Sequence, residues 1–308
     1  MNRFRGKYNK VSSLKIIFSL FLVAILVLGF QNFTNKYEFN EMLSTMRSPW
    51  YLVMIFVLVF FNLFAESKKW TALINSEIGS LRAVKAVLAG YSTATLSPNR
   101  IAEFAGRTAL FPKEIRPELT TATFVGSFIQ GSLTVGFGIV SVLIIPFHTD
   151  IFRHFDFVAF FWILSFVFIS FIGVYFFRAK LFDMLSEYIT ALRNVSFNQV
   201  IKAAFWAFLR YVIFLFQFYL ALMLFGYEGG FLFAACGISF MYMIQSYIPL
   251  SSLGELGVRE FLCFVIFTSS MNAPVAAVFP ALIIWFINIA MPALTGLVML
   301  KTQWSLAR

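Results

Sequence analysis

Two short stretches of the sequence contain matched acidic and basic residues that could bind a charged ligand. Residues 99–107 and 251–259 align without gaps, and each stretch places a glutamate four residues before an arginine. On a helix this spacing brings both side chains to one face. One such pair is uninformative, but two pairs, each following a helix break, indicate related sites. The pairs are Glu103 with Arg107 and Glu255 with Arg259.

These ionisable residues lie in apolar surroundings, where each would cost about 2.5 to 3.5 kcal/mol at the centre of a membrane helix. In one interpretation the pairs hold the local structure together. In the other, which we favour, they line a polar cavity in which arginine binds phosphate oxygens and glutamate neutralises it or carries a proton. Free backbone N–H groups at Asn99 and Ser251 would increase the affinity for an anion. The candidate substrate-binding residues are Asn99, Arg100, Glu103, Arg107, Ser251, Ser252, Glu255, Arg259 and Glu260.

No pattern typical of a catalytic, metal or cofactor site is found in the sequence. His148 and His154 each precede an aspartate by two residues, which we interpret as an ordinary solvated loop. The Walker phosphate loop, the nucleophile elbow and the His-Glu-x-x-His motif do not occur. The sequence therefore predicts a protein that is not an enzyme, with no catalytic residue, no metal site and no cofactor.

The composition predicts that the membrane positions these residues. Hydrophobic residues make up 60% of the chain and charged residues 12%, against roughly 25% charged in soluble domains; the mean hydropathy is +0.83. The net charge of +10 does not indicate nucleic acid, because the cations flank apolar runs. We expect a single transmembrane domain over residues 1–308 and an all-α, polytopic membrane helical bundle.

The apolar runs predict about six full spans, each long enough at about 1.5 Å per residue to cross a hydrocarbon core of about 30 Å. Two further apolar stretches are interrupted by proline or glycine with polar residues, which end a helix. We interpret these as re-entrant helical hairpins that carry the two Glu/Arg pairs. The spans are 14–30, 49–65, 120–145, 157–177, 203–225 and 275–300, and the broken stretches are 83–111 and 231–268.

The charges of the loops predict the orientation. If both broken stretches are re-entrant, the segments rich in Lys and Arg fall on one side, which the positive-inside rule makes cytoplasmic together with both termini. The expected location is the cell membrane. Residues 1–146 and 157–308 then form an inverted repeat, as in many secondary transporters. Residues 180–193 are expected to form a surface helix. Glu66, Lys68, Lys69 and Trp70 are expected to form an interfacial anchor.

Residues 96–103 with Arg107, and residues 248–260, resemble the two signatures of the lysylphosphatidylglycerol synthase transmembrane region, a flippase-like family. The resemblance extends over nearly the whole chain. It departs from the family pattern at Ala102, where glycine is usual, and at Ser251-Ser252-Leu253, where a glycine-rich break is usual. In full-length synthases this membrane part is associated with translocating aminoacylated phosphatidylglycerol, which implies a lipid or lipid-linked substrate.

Our leading hypothesis is therefore a transporter that moves an anionic or zwitterionic lipid headgroup between leaflets by alternating access. Its partners would be membrane lipids, and no nucleic acid is expected. The hypothesis predicts that Arg107→Ala and Arg259→Ala each abolish translocation. Two alternatives remain open: a non-catalytic membrane scaffold for a separately encoded glycosyl- or aminoacyl-transferase, and an intramembrane enzyme that acts on lipid phosphate.

Overall fold

Helices form nearly all of the backbone in the computed structural model, which describes residues 46–95, 97, 100–144, 195–247, 255–271 and 274–306. No strand is present in these ranges. The predicted spans 14–30 and 157–177 and the predicted surface helix 180–193 lie outside them. The helices are α1 (Trp50–Thr71), α2 (Ser80–Thr95), α3 (Ala102–Thr108), α4 (Arg116–Ile144), α5 (Phe197–Leu224), α6 (Phe231–Ser246), α7 (Val258–Phe267), α8 (Phe279–Trp285) and α9 (Met291–Leu306).

Four helical segments are long and apolar enough to cross a membrane, and they coincide with four of the predicted spans. They are Trp50–Thr71, Lys113–Ile144, Phe197–Leu224 and Ala276–Lys301. The last comprises a 3₁₀ turn, α8, a π-helical segment at Phe286–Ala290 and most of α9. On α1, large apolar side chains such as Phe60 are exposed, as expected of a surface that faces lipid. The predicted membrane helical bundle is thereby confirmed, whereas the number of spans stays a prediction.

Both broken stretches form helical hairpins. In the first hairpin α2 packs against α3, and in the second hairpin α6 packs against α7. The helix α3 has 7 residues and α7 has 10, so at about 1.5 Å per residue neither can cross a core of about 30 Å. This length agrees with the predicted re-entrant geometry.

The central helix pair is α1 and α5, which pack along each other in opposite directions. Asn62 contacts Arg210, and the earlier Ile55 contacts the later Gln217. Around this pair α2 packs against α9, and α4 packs against α6. Each hairpin therefore lies against the span that follows the other hairpin. Two related halves would produce this exchange of partners, and the inverted repeat itself stays a prediction.

Candidate functional site

The acidic and basic residues of α3 form a buried ion pair, as their spacing predicts. Arg107 Nη2 donates to Glu103 Oε1 at 2.5 Å, and Arg107 Nε donates to the same oxygen at 3.0 Å. The Arg107 guanidinium also lies over the Trp70 ring, 5.8 Å from its centroid. Gly90 on α2 makes room for the pair, since a Cβ there would lie 2.6 Å from Arg107 Cγ. The first hairpin thus depends on a glycine to hold its charges against α2.

The helix α1 supplies a second carboxylate and a cation to the same cluster. Glu66 Oε1 accepts from Arg107 Nη2 at 2.5 Å, and Glu66 Oε2 lies 2.6 Å from Lys69 Nζ. Both residues are 3% exposed, and Trp70 is fully buried and donates from Nε1 to Thr123 Oγ1 at 2.9 Å. The prediction of an interfacial anchor was wrong for Glu66, Lys69 and Trp70, which are buried inside the protein. The reason is that α1 continues to Thr71 and turns this face towards the first hairpin.

Arg210, in the middle of α5, joins four helices at the cluster. Its Nε donates to Asn62 Oδ1 of α1 at 2.9 Å, its Nη2 to the Tyr91 hydroxyl of α2 at 3.2 Å, and its Nη1 to Gln130 Oε1 of α4 at 3.3 Å. Nη1 also lies 3.1 Å from Glu66 Oε2. Our sequence interpretation missed Arg210. The available signal was a lone arginine inside an apolar span, which by its insertion cost alone indicates a functional residue.

The cluster has more positive than negative charge. Among the described residues that contact one another here, four cations face two carboxylates, which leaves two positive charges in excess. Buried charges are stable only when they are paired and hydrogen-bonded. An excess of this kind is suited to binding an anion. The cations are Lys69, Arg100, Arg107 and Arg210, and the carboxylates are Glu66 and Glu103.

Arg100 lies at the tip of the first hairpin with its backbone in the left-handed region, at a φ of 57°. Its Nε lies 3.1 Å from Glu103 Oε2, and its guanidinium is 5.2 Å from the centroid of the Tyr91 ring. The Arg100 side chain is 36% exposed, whereas that of Arg107 is 3% exposed. The two arginines of one short motif therefore have different surroundings: Arg107 is enclosed and Arg100 is partly open.

The second hairpin contains a smaller group of buried charges. Arg259 is 2% exposed and its Nη2 lies 3.9 Å from Glu255 Oε2. Gln245 of α6 donates to that same oxygen at 2.8 Å. Glu260 is buried and accepts the Gly257 N–H at the start of α7, where Gly257 has a φ of 93°. Here two carboxylates face one arginine, so this group has an excess of one negative charge, whereas the group in the first hairpin has an excess of positive charge.

Charged residues of the two hairpins lie within electrostatic range of each other. The guanidinium of Arg100 and the carboxylate of Glu255 interact electrostatically across the hairpins. Counted over both groups, the described cations still outnumber the described carboxylates by one. The predicted site residues Asn99, Ser251 and Ser252, and the loop with His148 and His154, lie outside the described residues.

The family model described as Lysylphosphatidylglycerol synthase TM region matches residues 14–296. No curated protein matches the chain, and no solved structure matches it. The matched range contains both hairpins and every residue of the charged cluster.

Proposed function

The chain belongs to the lysylphosphatidylglycerol synthase TM region family, and from this premise we propose that it translocates a lipid or lipid-linked molecule with an anionic or zwitterionic headgroup. Translocation would occur between the two leaflets of the cell membrane, with both termini in the cytoplasm. We propose transport rather than catalysis, with membrane lipids as the partners.

The observation that supports this proposal is the buried charged cluster shared by α1, α2, α3 and α5. A lipid headgroup that crosses the hydrocarbon core loses its hydration, and a pathway must replace those interactions. Guanidinium groups offer planar paired donors that match phosphate oxygens. Short, broken helices that meet from opposite sides are the elements with which many carriers expose such a site alternately to each face.

The function can be tested with the purified chain in proteoliposomes. Fluorescent phosphatidylglycerol and phosphatidylethanolamine are placed in both leaflets, and dithionite added outside measures how fast protected lipid becomes accessible. We expect faster loss of fluorescence than in protein-free liposomes. The double variant Glu103→Gln/Arg107→Gln removes one charge of each sign, so the excess of the cluster is unchanged while the ion pair of the tip is lost. We expect at least tenfold slower translocation, about 1.4 kcal/mol in the barrier.

A matched control is available on the surface. Arg47 and Glu228 form an exposed ion pair at 3.2 Å, and Arg47→Gln/Glu228→Gln removes the same two charges far from the tips. This control should translocate as the unaltered chain does. Equal rates with and without protein would contradict the proposal. If a soluble transferase copurifies with a chain that moves no lipid, the scaffold hypothesis is supported instead.

A further inference from the structure

The cations of the first hairpin cluster differ in how much of their hydrogen-bonding capacity is in use. Arg107 is bound between two carboxylates, and every nitrogen of Arg210 donates to a neighbouring helix. Lys69 is 3% exposed and contacts Glu66 at 2.6 Å. The side chains of Arg107 and Lys69 are almost inaccessible to solvent, and each nitrogen of Arg210 already has an acceptor, so none of these three presents an open edge of donors.

Arg100 is the exception. Its Nε is near Glu103, and no described residue accepts a hydrogen bond from its Nη1 or Nη2. The guanidinium lies over the Tyr91 ring, and the Arg100 side chain is 36% exposed. The two-pronged edge that recognises phosphate is therefore not occupied by any residue that the structure describes.

The backbone of Arg100 supports a ligand-binding role. A non-glycine residue in the left-handed region costs roughly 1 to 2 kcal/mol relative to the right-handed one, and such strain persists mainly at functional sites. Here the unusual φ of 57° occurs at the one described non-glycine residue with a positive φ. The strained backbone thus belongs to the residue whose Nη1 and Nη2 donate to no described residue.

The carboxylates of the site show whether it could also bind a positively charged group of a ligand. Glu66 contacts three cations and Glu103 contacts two. Glu255 is near Arg259 and Arg100, and accepts a hydrogen bond from Gln245. A headgroup ammonium needs a carboxylate that no cation already neutralises, and each of these three already has one. Glu260, the fourth carboxylate, interacts electrostatically with Arg259, although no described residue donates a hydrogen bond to its Oε1. A cation therefore faces every carboxylate of the described site, and the cations outnumber the carboxylates by one, which favours an anionic ligand.

Resting on the proposed function, we infer that Arg100 binds a phosphodiester oxygen of the substrate and that the substrate is a net anion rather than a zwitterion. Arg107 and Arg210 are positioning residues that hold the two carboxylates and the four helices around it. The anion compensates the excess positive charge that the described residues leave unbalanced.

A binding experiment on the full chain in detergent tests this inference without requiring transport. Isothermal titration uses two short-chain lipids with the same phosphodiester and acyl chains, dihexanoylphosphatidylglycerol and dihexanoylphosphatidylethanolamine, below their micelle concentrations. We expect the anionic lipid to bind at least tenfold more tightly. Arg100→Gln should weaken that binding about 10- to 100-fold, the loss of one charge-assisted hydrogen bond. The zwitterion carries the same phosphodiester, so its weaker binding should also depend on Arg100. Arg100→Lys should recover part of the affinity because it keeps the charge and loses the fork.

Two further variants keep the test decisive. Arg100→Asn removes the charge with a residue that adopts positive φ more readily, so a folding defect of Arg100→Gln would not hide the result. Arg82→Gln removes an exposed guanidinium from the same hairpin and should bind as the unaltered chain does. Equal affinity for the two lipids, or equal losses in Arg100→Gln and Arg82→Gln, would overturn the inference.

The same protein preparations separate this inference from the function on which it rests. Arg100-dependent binding without translocation in liposomes would support the residue assignment and refute the transport proposal. Translocation together with binding that does not depend on Arg100 would support the transport proposal and refute the residue assignment. Inorganic phosphate serves as a third ligand: if it binds in an Arg100-dependent way while the lipid does not, the phosphate chemistry is supported and the lipid is excluded as its source.

Discussion

Neutralising Glu66 should destabilise the protein strongly, although the substitution changes few atoms. Glu66→Gln keeps the size of the side chain and removes its charge. The carboxylate lies 2.6 Å from Lys69, 2.5 Å from Arg107 and 3.1 Å from Arg210. After the change Arg107 would keep Glu103, whereas Lys69 and Arg210 would contact no described carboxylate. The excess of the cluster would rise from two positive charges to three.

The magnitude follows from burial. The Glu66 side chain is 4% exposed and so is that of Lys69, so solvent screens the repulsion poorly. Removing one partner from a buried ion pair typically costs about 3 to 5 kcal/mol, because it leaves the other charge uncompensated. An exposed glutamate contributes within about 0.5 kcal/mol. Glu77, in the exposed loop after α1, therefore provides the matched control Glu77→Gln.

The two cysteines of the chain provide the assay. Cys236 and Cys263 are free and buried in the second hairpin, so a fluorescent maleimide labels them only when the helices separate. We expect a clearly lower midpoint of thermal labelling for Glu66→Gln and no change for Glu77→Gln. The double variant Glu66→Gln/Lys69→Gln restores the excess of two positive charges and should recover part of the loss. Equal midpoints for the two single variants would refute the argument that this carboxylate is held by buried cations.

Two predictions concern the contacts between helices, measured with the same thiol assay. Gly296→Ala should be destabilising by about 1 to 3 kcal/mol, because its Cβ would collide with the Leu88 carbonyl of α2. Gly131→Ala should be neutral or stabilising, since nothing lies within 4 Å of its Cβ. Labelling midpoints that fall equally in both variants would contradict this prediction. Thr123→Val should cost about 1 to 3 kcal/mol of stability, because the buried Trp70 N–H loses its acceptor. Thr134→Val on the same helix should not, since the Thr134 hydroxyl only donates to its own helix. Equal midpoints for the two variants would count against a stabilising hydrogen bond from Trp70 to Thr123.

The hairpins could be predicted because their signals are local. Proline and glycine next to polar residues interrupt the apolar runs, and these residues end a helix through their own backbone geometry. The Glu/Arg spacing also acts over a single helical turn, so the contact of Glu103 with Arg107 follows from the sequence. The start of α5 is local too: Ser196 and Gln199 form a capping box, and α5 begins six residues before the predicted span.

The remaining half of the cluster could not be predicted, because its contacts are distant in the chain. Arg107 and Glu66 are 41 positions apart, and Arg210 and Asn62 are 148 positions apart. From the sequence, Glu66 and Lys69 follow an apolar run and are indistinguishable from interfacial charges. Only the packing of α1 against α2 and α5 decides that they point inwards. Arg210 alone had a usable local signal, its cost inside an apolar span.

The charges of the two hairpins are held unequally, although their helices pack in matching ways. The first hairpin is connected through Arg107 to Glu66 of α1, and through Tyr91 to Arg210 of α5. Within the described residues of the second hairpin, the ion pair of Arg259 is longer, at 3.9 Å, and stays inside that hairpin. Coulomb energy falls with distance and rises with burial, so separating the first hairpin from the central helices costs more. If the chain alternates its access, these charges favour a larger motion of the second hairpin, and Arg100, which interacts with Glu255, lies where charges of the two hairpins face each other.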